Sequence, residues 1–191
     1  MKDRLGSGPM HVIWYTGMSM DGRIASAGDD LAFLDTIGPD SENGEDFPGF
    51  IASVDAVLIG ASTLRWLLKG GHGWPHDDLP TWLVTHDADL VARVGKTRAP
   101  LHQVAGDLGA AFAAMEAAGR QRVWLAGGGN LAGQALALDR VDEIIATIAP
   151  TVLGAGPSLF DGAALPARRF RLVECRAIGG DAARLVWRRA T

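Results

Sequence analysis

The sequence predicts an α/β protein built on a mostly parallel sheet with an antiparallel edge. Three observations carry this. Short apolar, β-branched runs alternate with helical patterns through the first 149 residues. Two further strand-like runs close the chain around Gly179-Gly180, near enough in sequence to pair antiparallel. Glycine or small hydroxyl residues stand where several runs meet the following helix, as tight turns out of parallel strands require.

His11 to Thr16, HVIWYT, reads as an early core strand, followed by a turn around Asp21-Gly22 in GMSMDGRIA. Asp29-Asp30 is placed to cap a short helix, LAFLDTI, and Gly38 to Gly44 reads as a loop. Helical spacing resumes in EDFPGFIASV, with Phe47, Phe50, Ile51 and Val54 on one side and Pro48 expected in the first turn. Asp55 to Gly60 is a strand, and STLRWLLKG a helix ended by Gly70-Gly71. GHGWPHDDLP reads as a mobile loop, and Thr81 to Thr85 and Leu101 to Val104 as strands. Asp107 caps LGAAFAAMEAAG; Arg122 to Leu125 is a strand that runs into three glycines and a helix ending at Leu138. Glu143 to Ala149 is a strand, TVLGAGPSLFDG a long loop, and RFRLVECRAI and ARLVWRR form the closing pair. Cys175 alternates with strand neighbours and is expected in the core.

Composition bounds the function. With 191 residues, 48% apolar and 21% charged, the chain has the make-up of one globular domain, expected from residue 11 to 191 behind a flexible leader of residues 1–10. A formal charge of −4 and no long basic tract argue against nucleic-acid binding. No apolar stretch reaches a membrane span, and no signal-peptide pattern opens the chain. One cysteine without ligand-spaced companions argues against a zinc site. A cytoplasmic protein without a metal is expected.

The run VWLAGGGNLAGQAL, Val123 to Leu136, removes three side chains in succession. A structural turn would explain it; so would a phosphate nest, in which bare N–H groups at a helix start hold an anion. The pattern is neither a P-loop nor a sound Rossmann fingerprint. A second strand end, Gly60-Ala61-Ser62-Thr63, offers hydroxyls and N–H groups at another helix start, although Ser62 or Thr63 would also serve as an ordinary cap. Two such ends facing one crevice suit an extended dinucleotide. Asp46 and Phe50 are four apart and share a helical face; a carboxyl there could handle a proton or merely stabilise its own helix. Arg65, Lys69 and His72 could meet a substrate phosphate or form a solvated face. Trp66 and Trp74 could flank a planar ligand or pack in the core.

GMSMDGRIA, DAVLIGASTLRWL, VWLAGGGNLAGQAL and IAPTVLGAGPSLF occur in the order found in the dihydrofolate reductase-like superfamily. The chain most resembles the reductase domain of the bacterial riboflavin-biosynthesis deaminase-reductase and its stand-alone relatives. The resemblance runs from about His11 to Arg189. It implies a three-layer fold, a mainly parallel twisted sheet with helices on both faces. It also implies NADPH as cofactor, with NADH open, bound across the strand ends. Gly127-Gly128 would hold a cis peptide against the cofactor phosphates, continued by Gly129, Asn130 and Leu131. Gly60, Ser62 and Thr63 would lie near phosphate, and Gly17 and Ile24 near the nicotinamide. Thr85 and His86, with Ala61 where arginine is common, would face the 2′ position of the adenosine ribose. Folate reductases carry an acid and, four residues later, a phenylalanine; Asp46 and Phe50 match, with Glu42 and Glu45 as substitutes for the acid. LLKGGHGWP stands where the riboflavin branch usually has an Asp-Asp-Pro segment, and no deaminase domain is expected ahead of this one.

These features imply an NADPH-dependent reductase of a pyrimidine or pteridine-type substrate, most like 5-amino-6-(5-phosphoribosylamino)uracil reductase. Asp46 would be its proton-handling group, and Phe50, Arg65 and Lys69 its substrate contacts. The open alternatives are a dihydrofolate reductase, another pterin or flavin reductase, or a dinucleotide-binding module without turnover. Loops 26–44 and 70–80 would sleeve the substrate, and the closing hairpin with IIATIAPTVL would support a homodimer.

Overall fold

The computed structural model describes residues 9–37, 42–71, 73–162, 165, 167–179 and 181–190, and only the backbone of 42–46. The expected leader therefore falls outside the described residues apart from Pro9 and Met10. An eight-stranded sheet organises the chain: β1 (His11–Met18), β2 (Ala56–Gly60), β3 (Thr81–Val84), β4 (Leu101–Val104), β5 (Arg122–Leu125), β6 (Glu143–Ile148), β7 (Phe170–Ile178) and β8 (Ala182–Arg189). Their spatial order is β4-β3-β2-β5-β1-β6-β8-β7. The first six pair in parallel, and β8 and β7 add an antiparallel edge. A parallel neighbour can be reached only by a crossover. The helices that supply the crossovers are α1 (Glu42–Ser53), α2 (Ala61–Lys69), α3 (Ala88–Val94), α4 (Leu108–Ala117) and α5 (Gly129–Ala137).

The alternation of β2 shows the three layers. Ala56 and Leu58 pack with Leu108, Phe112 and Met115 of α4 and Leu131 and Ala135 of α5. Val57 turns the other way, onto Phe50 and Val54 of α1, and Ile59 onto Leu64 of α2 and Leu90 of α3. The strand is buried on both faces, which is why it reads as a continuous apolar run. Each such Val, Leu or Ile contributes roughly 1.5–3 kcal/mol by burial. A 3₁₀ helix, Ala32–Ile37, replaces the short helix expected after Asp30, whose carboxylate accepts from Ala32 N at 2.9 Å.

Several expectations are corrected. Helix α3 lies where the sequence reading places only strands and loop; Asp87 caps it by accepting from Leu90 N, and a positive-φ Gly95 ends it. Helix α1 begins at Glu42, so Pro48 sits in its interior. That forfeits one backbone hydrogen bond, and the exposed position of Pro48 lets water meet the released carbonyl. Cys175 is exposed. Strand β7 is the sheet edge, and its bulge between Leu172 and Glu174 exchanges the faces of every residue after it. The loop 73–80 does not stand free: Trp74 and His76 pack into an aromatic cluster with Phe47 and Trp124. Strand β6, which holds IIATI, is interior between β1 and β8.

Among the described residues no helix is long and apolar enough to cross a membrane, and no group of three or more His, Cys, Asp or Glu could hold a metal ion.

Candidate functional site

The register of the central strands creates a notch. β5 stops at Leu125, paired with Trp14 on one side and Leu58 on the other. β1 runs on to Met18 and β2 to Gly60. The space beyond the short strand is a cavity of about 260 Å³, lined from β1 by Trp14, Tyr15 and Thr16 and from α2 by Ser62, Thr63 and Trp66. Ala126, Gly127 and Gly128 form its floor, and Ile24, Ala25, Asp29 and Leu31 its remaining wall. It opens at the carboxyl ends of parallel strands, where open α/β sheets take ligands.

Two helices point their N-termini at this cavity, and neither is capped by a side chain. The N-cap of α2 is Gly60 and that of α5 is Gly128, both in extended conformation. Ser62 and Thr63 lie inside the first turn of α2 rather than at its cap. By contrast α3 and α4 are closed by Asp87 and Asp107. Uncapped first turns leave N–H groups and the positive end of the dipole available to an anion. Among the four helices whose N-caps are described, the two open termini are the two that share the cavity.

The three glycines divide their work. A Cβ on Gly127 would fall 2.5 Å from Leu131 Cδ2, and one on Gly129 would fall 2.0 Å from the carbonyl oxygen of Ser158. Both are required by packing. A Cβ on Gly128 would meet only Thr63 Oγ1, at 3.9 Å. Gly128 is therefore the bare position that faces the cavity. The peptide between Gly127 and Gly128 is trans, as are all described peptide bonds. The expected cis bond is absent: Gly128, at φ −70° and ψ 173°, turns the chain into α5 from an ordinary extended conformation, without the cost of a cis non-proline bond.

The fourth motif holds this arrangement from behind. Ile24 N donates to Pro157 O and Leu159 N to Gly22 O, both at 3.0 Å, and Arg23 Nη1 donates to Gly156 O at 2.9 Å. Asp21 accepts from Ser19 Oγ at 2.6 Å, Leu153 N at 3.0 Å and Gly154 N at 2.9 Å. The Ser19 hydroxyl first, then the Leu153 amide, lower its pKa to about 2. Asp21 is thus a staple between the two loops rather than a proton donor. Trp66 Nε1 donates to Asp29 O at 2.8 Å and ties α2 to the loop across the cavity mouth.

Of the sequence-predicted residues, Ile24, Ser62, Thr63, Trp66, Gly127 and Gly128 come together at the cavity, and Trp74 does not line it. Gly60 and Leu131 support it from below, with Leu131 packed beside both Gly60 and Gly127. Gly17 is one residue along from the lining Thr16, and the place of its missing Cβ is taken by Leu34. Asn130 is exposed and accepts from Gln134 Nε2. Thr85 is buried at the end of β3, where its hydroxyl accepts from Asp87 N at 3.1 Å, and His86 is exposed beside it. Arg65 pairs with Asp87 at 3.0 Å outside the cavity lining, and Lys69 is exposed. Phe50 is buried beneath Tyr15, with ring centroids 4.5 Å apart. Asp46 falls in α1 one turn before Phe50; its side chain, with those of Glu42 and Glu45, lies outside the described residues, as does His72. Sequence reasoning missed Trp14, Tyr15, Thr16, Ala25 and Ala126 as lining residues, and reached Asp29 and Leu31 only as part of the loop 26–44. The signal for Tyr15 and Thr16 is the unequal length of β1 and β5, which only the register reveals.

Burial among Phe47, Trp74 and Trp124 lowers the pKa of His76, opposed by Asp78. His76 lies behind Trp124, outside the cavity lining.

The family model of the RibD C-terminal domain matches residues 72–183. A Bacillus subtilis (strain 168) protein, YwjB, described as uncharacterized, is 29% identical over 149 residues, covering 78% of this chain and 81% of its own. The crystal structure of a putative riboflavin biosynthesis protein from Shewanella sp. PV-4 superposes with a TM-score of 0.80 at 23% identity, over 95% of this chain and 100% of that one. The Thermotoga maritima diaminohydroxyphosphoribosylaminopyrimidine deaminase/5-amino-6-(5-phosphoribosylamino)uracil reductase superposes with a TM-score of 0.72 at 16% identity, over 95% of this chain and 57% of that one. These likenesses show the dihydrofolate reductase-like fold.

Proposed function

This chain belongs to the RibD C-terminal domain family, and we propose that it is an NAD(P)H-dependent reductase of a pyrimidine or pteridine-type substrate, most like 5-amino-6-(5-phosphoribosylamino)uracil reductase. The observation that carries the reading is the pair of uncapped helix N-termini meeting at one cavity. A diphosphate needs several N–H donors and no bulky side chain in the way. The fit is chemical: bare backbone at Gly128, hydroxyls at Ser62 and Thr63, and no basic side chain required in the floor.

Reduced nicotinamide, when bound, supplies the hydride. The chain's own residues supply position and exclusion of water. The α2 and α5 termini hold the diphosphate. Thr16, Ile24 and Ala25, at the end of β1 and the loop after it, line the space for the nicotinamide end. Tyr15, backed by Phe50, gives one aromatic wall for a flat heterocycle and Trp66 another. Asp46, on the helix that carries Phe50, holds or passes the proton that a reduced C=N or carbonyl carbon's neighbour requires. A homodimer is part of this proposal: edge strand β7 exposes Leu172 and Val173, and sedimentation velocity tests it.

The experiment is oxidation of NADPH and NADH followed optically against the riboflavin-pathway ribosylaminopyrimidine, dihydrofolate and free flavins. Substrate-dependent oxidation with the ribosylaminopyrimidine is expected. Turnover of dihydrofolate or flavin alone would move the assignment to a pterin or flavin reductase. Nucleotide binding with no turnover on any of them would leave a binding module.

A further inference from the structure

The loop 153–161 is wedged between two parts of the cavity. One side of it lies behind the wall that Ile24 and Ala25 contribute. Arg23 and Ser158 form an antiparallel bridge, Pro157 O accepts from Ile24 N at 3.0 Å, and a Cβ on Gly156 would stand 2.1 Å from Ala25 O. The other side lies against the first turns of α5. Asp161 N donates to Gly129 O at 3.0 Å. A Cβ on Gly129 would stand 2.0 Å from Ser158 O, and one on Gly133 would stand 2.4 Å from Asp161 O. Backbone meets backbone on both sides, so neither can close further. The thickness of one chain therefore sets the gap between the Ile24–Ala25 wall and the open terminus at Gly128.

The start of the loop is held differently. Gly154 has φ +73°, and nothing lies within 4 Å of where its Cβ would stand. Its amide and that of Leu153 instead both donate to the Asp21 carboxylate, at 2.9 and 3.0 Å. Ser19, fully buried directly after β1, fixes that carboxylate through its hydroxyl. These are charge-assisted bonds, the stronger kind. The two parts of the cavity are not equally secured without them. Helix α5 is seated in the core by Leu131, Ala132, Ala135 and Leu136. Ile24 and Ala25 belong to none of the buried apolar clusters among the described residues. Loosening the loop start therefore moves the wall and leaves the helix terminus in place.

We propose that Asp21 is a positioning residue: acting through the loop 153–161, it keeps the Ile24–Ala25 wall in register with the helix starts, so that the nicotinamide end of a bound dinucleotide depends on it and the diphosphate end does not. The inference rests on the dinucleotide reading given above and adds the residue that aligns the two ends. Asp21→Asn keeps the shape of the side chain and an acceptor for one amide while removing the charge. Arg23→Met removes the guanidinium that donates to Gly156 O at 2.9 Å and leaves Asp21 in place, so it loosens the same joint independently.

The test is calorimetric titration of the full chain, wild type and each variant, with four ligands. NADH and NADPH are compared with ADP-ribose and its 2′-phosphate, which keep the diphosphate and lack the nicotinamide ring. The wild type is expected to bind each dinucleotide more tightly than its ring-free counterpart. Both variants should lose roughly tenfold on the dinucleotides, the scale of one charge-assisted hydrogen bond, and less than about twofold on the ring-free ligands. A general loss of stability would not separate the two kinds of ligand. Circular dichroism and the thermal midpoint establish that each variant is folded, and Arg23→Met carries the test if Asp21→Asn does not fold. A ratio of dinucleotide to ring-free affinity equal to that of wild type, whether both affinities fall or neither does, overturns the positioning role while leaving the dinucleotide site standing. A wild type that holds both kinds of ligand alike does the same. Absence of binding of all four ligands to the wild type overturns both.

Discussion

Replacing Gly128 by valine separates ligand binding from folding. The backbone there, φ −70° and ψ 173°, is open to any L-residue, and the nearest atom to an added Cβ is Thr63 Oγ1 at 3.9 Å. The fold should therefore accept the change, and the stiffer unfolded chain offsets part of any crowding by about 0.4–1 kcal/mol. The isopropyl group has one place to go, the gap between the α5 and α2 termini. A diphosphate there loses its approach to the α5 terminus, worth roughly 0.3–2 kcal/mol, and at least one charge-assisted hydrogen bond, worth roughly 1.5–3 kcal/mol. The sum, about 2–5 kcal/mol, corresponds to a weakening of roughly 30-fold to several thousandfold in Kd. Isothermal titration with NADH and NADPH reads the loss, and a thermal melt alongside shows the fold intact. A folded Gly128→Val protein with wild-type affinity would refute the reasoning.

Three other perturbations follow from the same geometry. Gly129→Ala should fail in the opposite way: its Cβ would meet Ser158 O at 2.0 Å, and backbone cannot yield cheaply. A cost of about 3 kcal/mol or more would lower Tm by roughly 6–12 °C, read by calorimetry; an unchanged Tm would show that the 151–161 loop is not seated against α5. Asp21 has a folded pKa lowered to about 2, so its stabilisation is complete above about pH 4, the unfolded carboxylate range, and is lost as pH falls through 2. The Tm gap between wild type and Asp21→Asn should accordingly be constant at neutral pH and close on acidification; a gap that widens toward pH 2 would reverse the sign. Asp46→Asn should lower kcat far more than it changes nucleotide Kd, and an unchanged steady-state rate would remove Asp46 from the chemistry.

Much of this fold was legible because its periodicities are strong. The run DAVLIG needs burial on both faces, and the sheet provides it. Asp107 announced α4, and it does accept from Ala110 N. Asp87 offered the same signal for α3, but the helix is only seven residues long, too short for its spacing to stand out. The fate of Cys175 was not legible: a bulge reverses the faces of a strand without changing its composition. Nor was Pro48 as an interior residue, since tertiary packing of Phe50 and Val54 on the sheet outweighs the lost hydrogen bond. At the site, the glycine turn was readable as something that must be bare, although two of the three glycines are bare for the sake of Leu131 and Ser158. The β1 wall was not readable at all. Tyr15 and Thr16 line the cavity because β1 outruns β5, and strand length relative to a neighbour is a property of register, not of the run itself.

The most direct measurement is a crystal structure of the chain with reduced nicotinamide dinucleotide. The account predicts the diphosphate between Gly128 and Thr63, within hydrogen-bond distance of first-turn N–H groups of both α2 and α5, with the nicotinamide toward Thr16 and Ile24. A nucleotide seated with its diphosphate away from these two helix starts would contradict it.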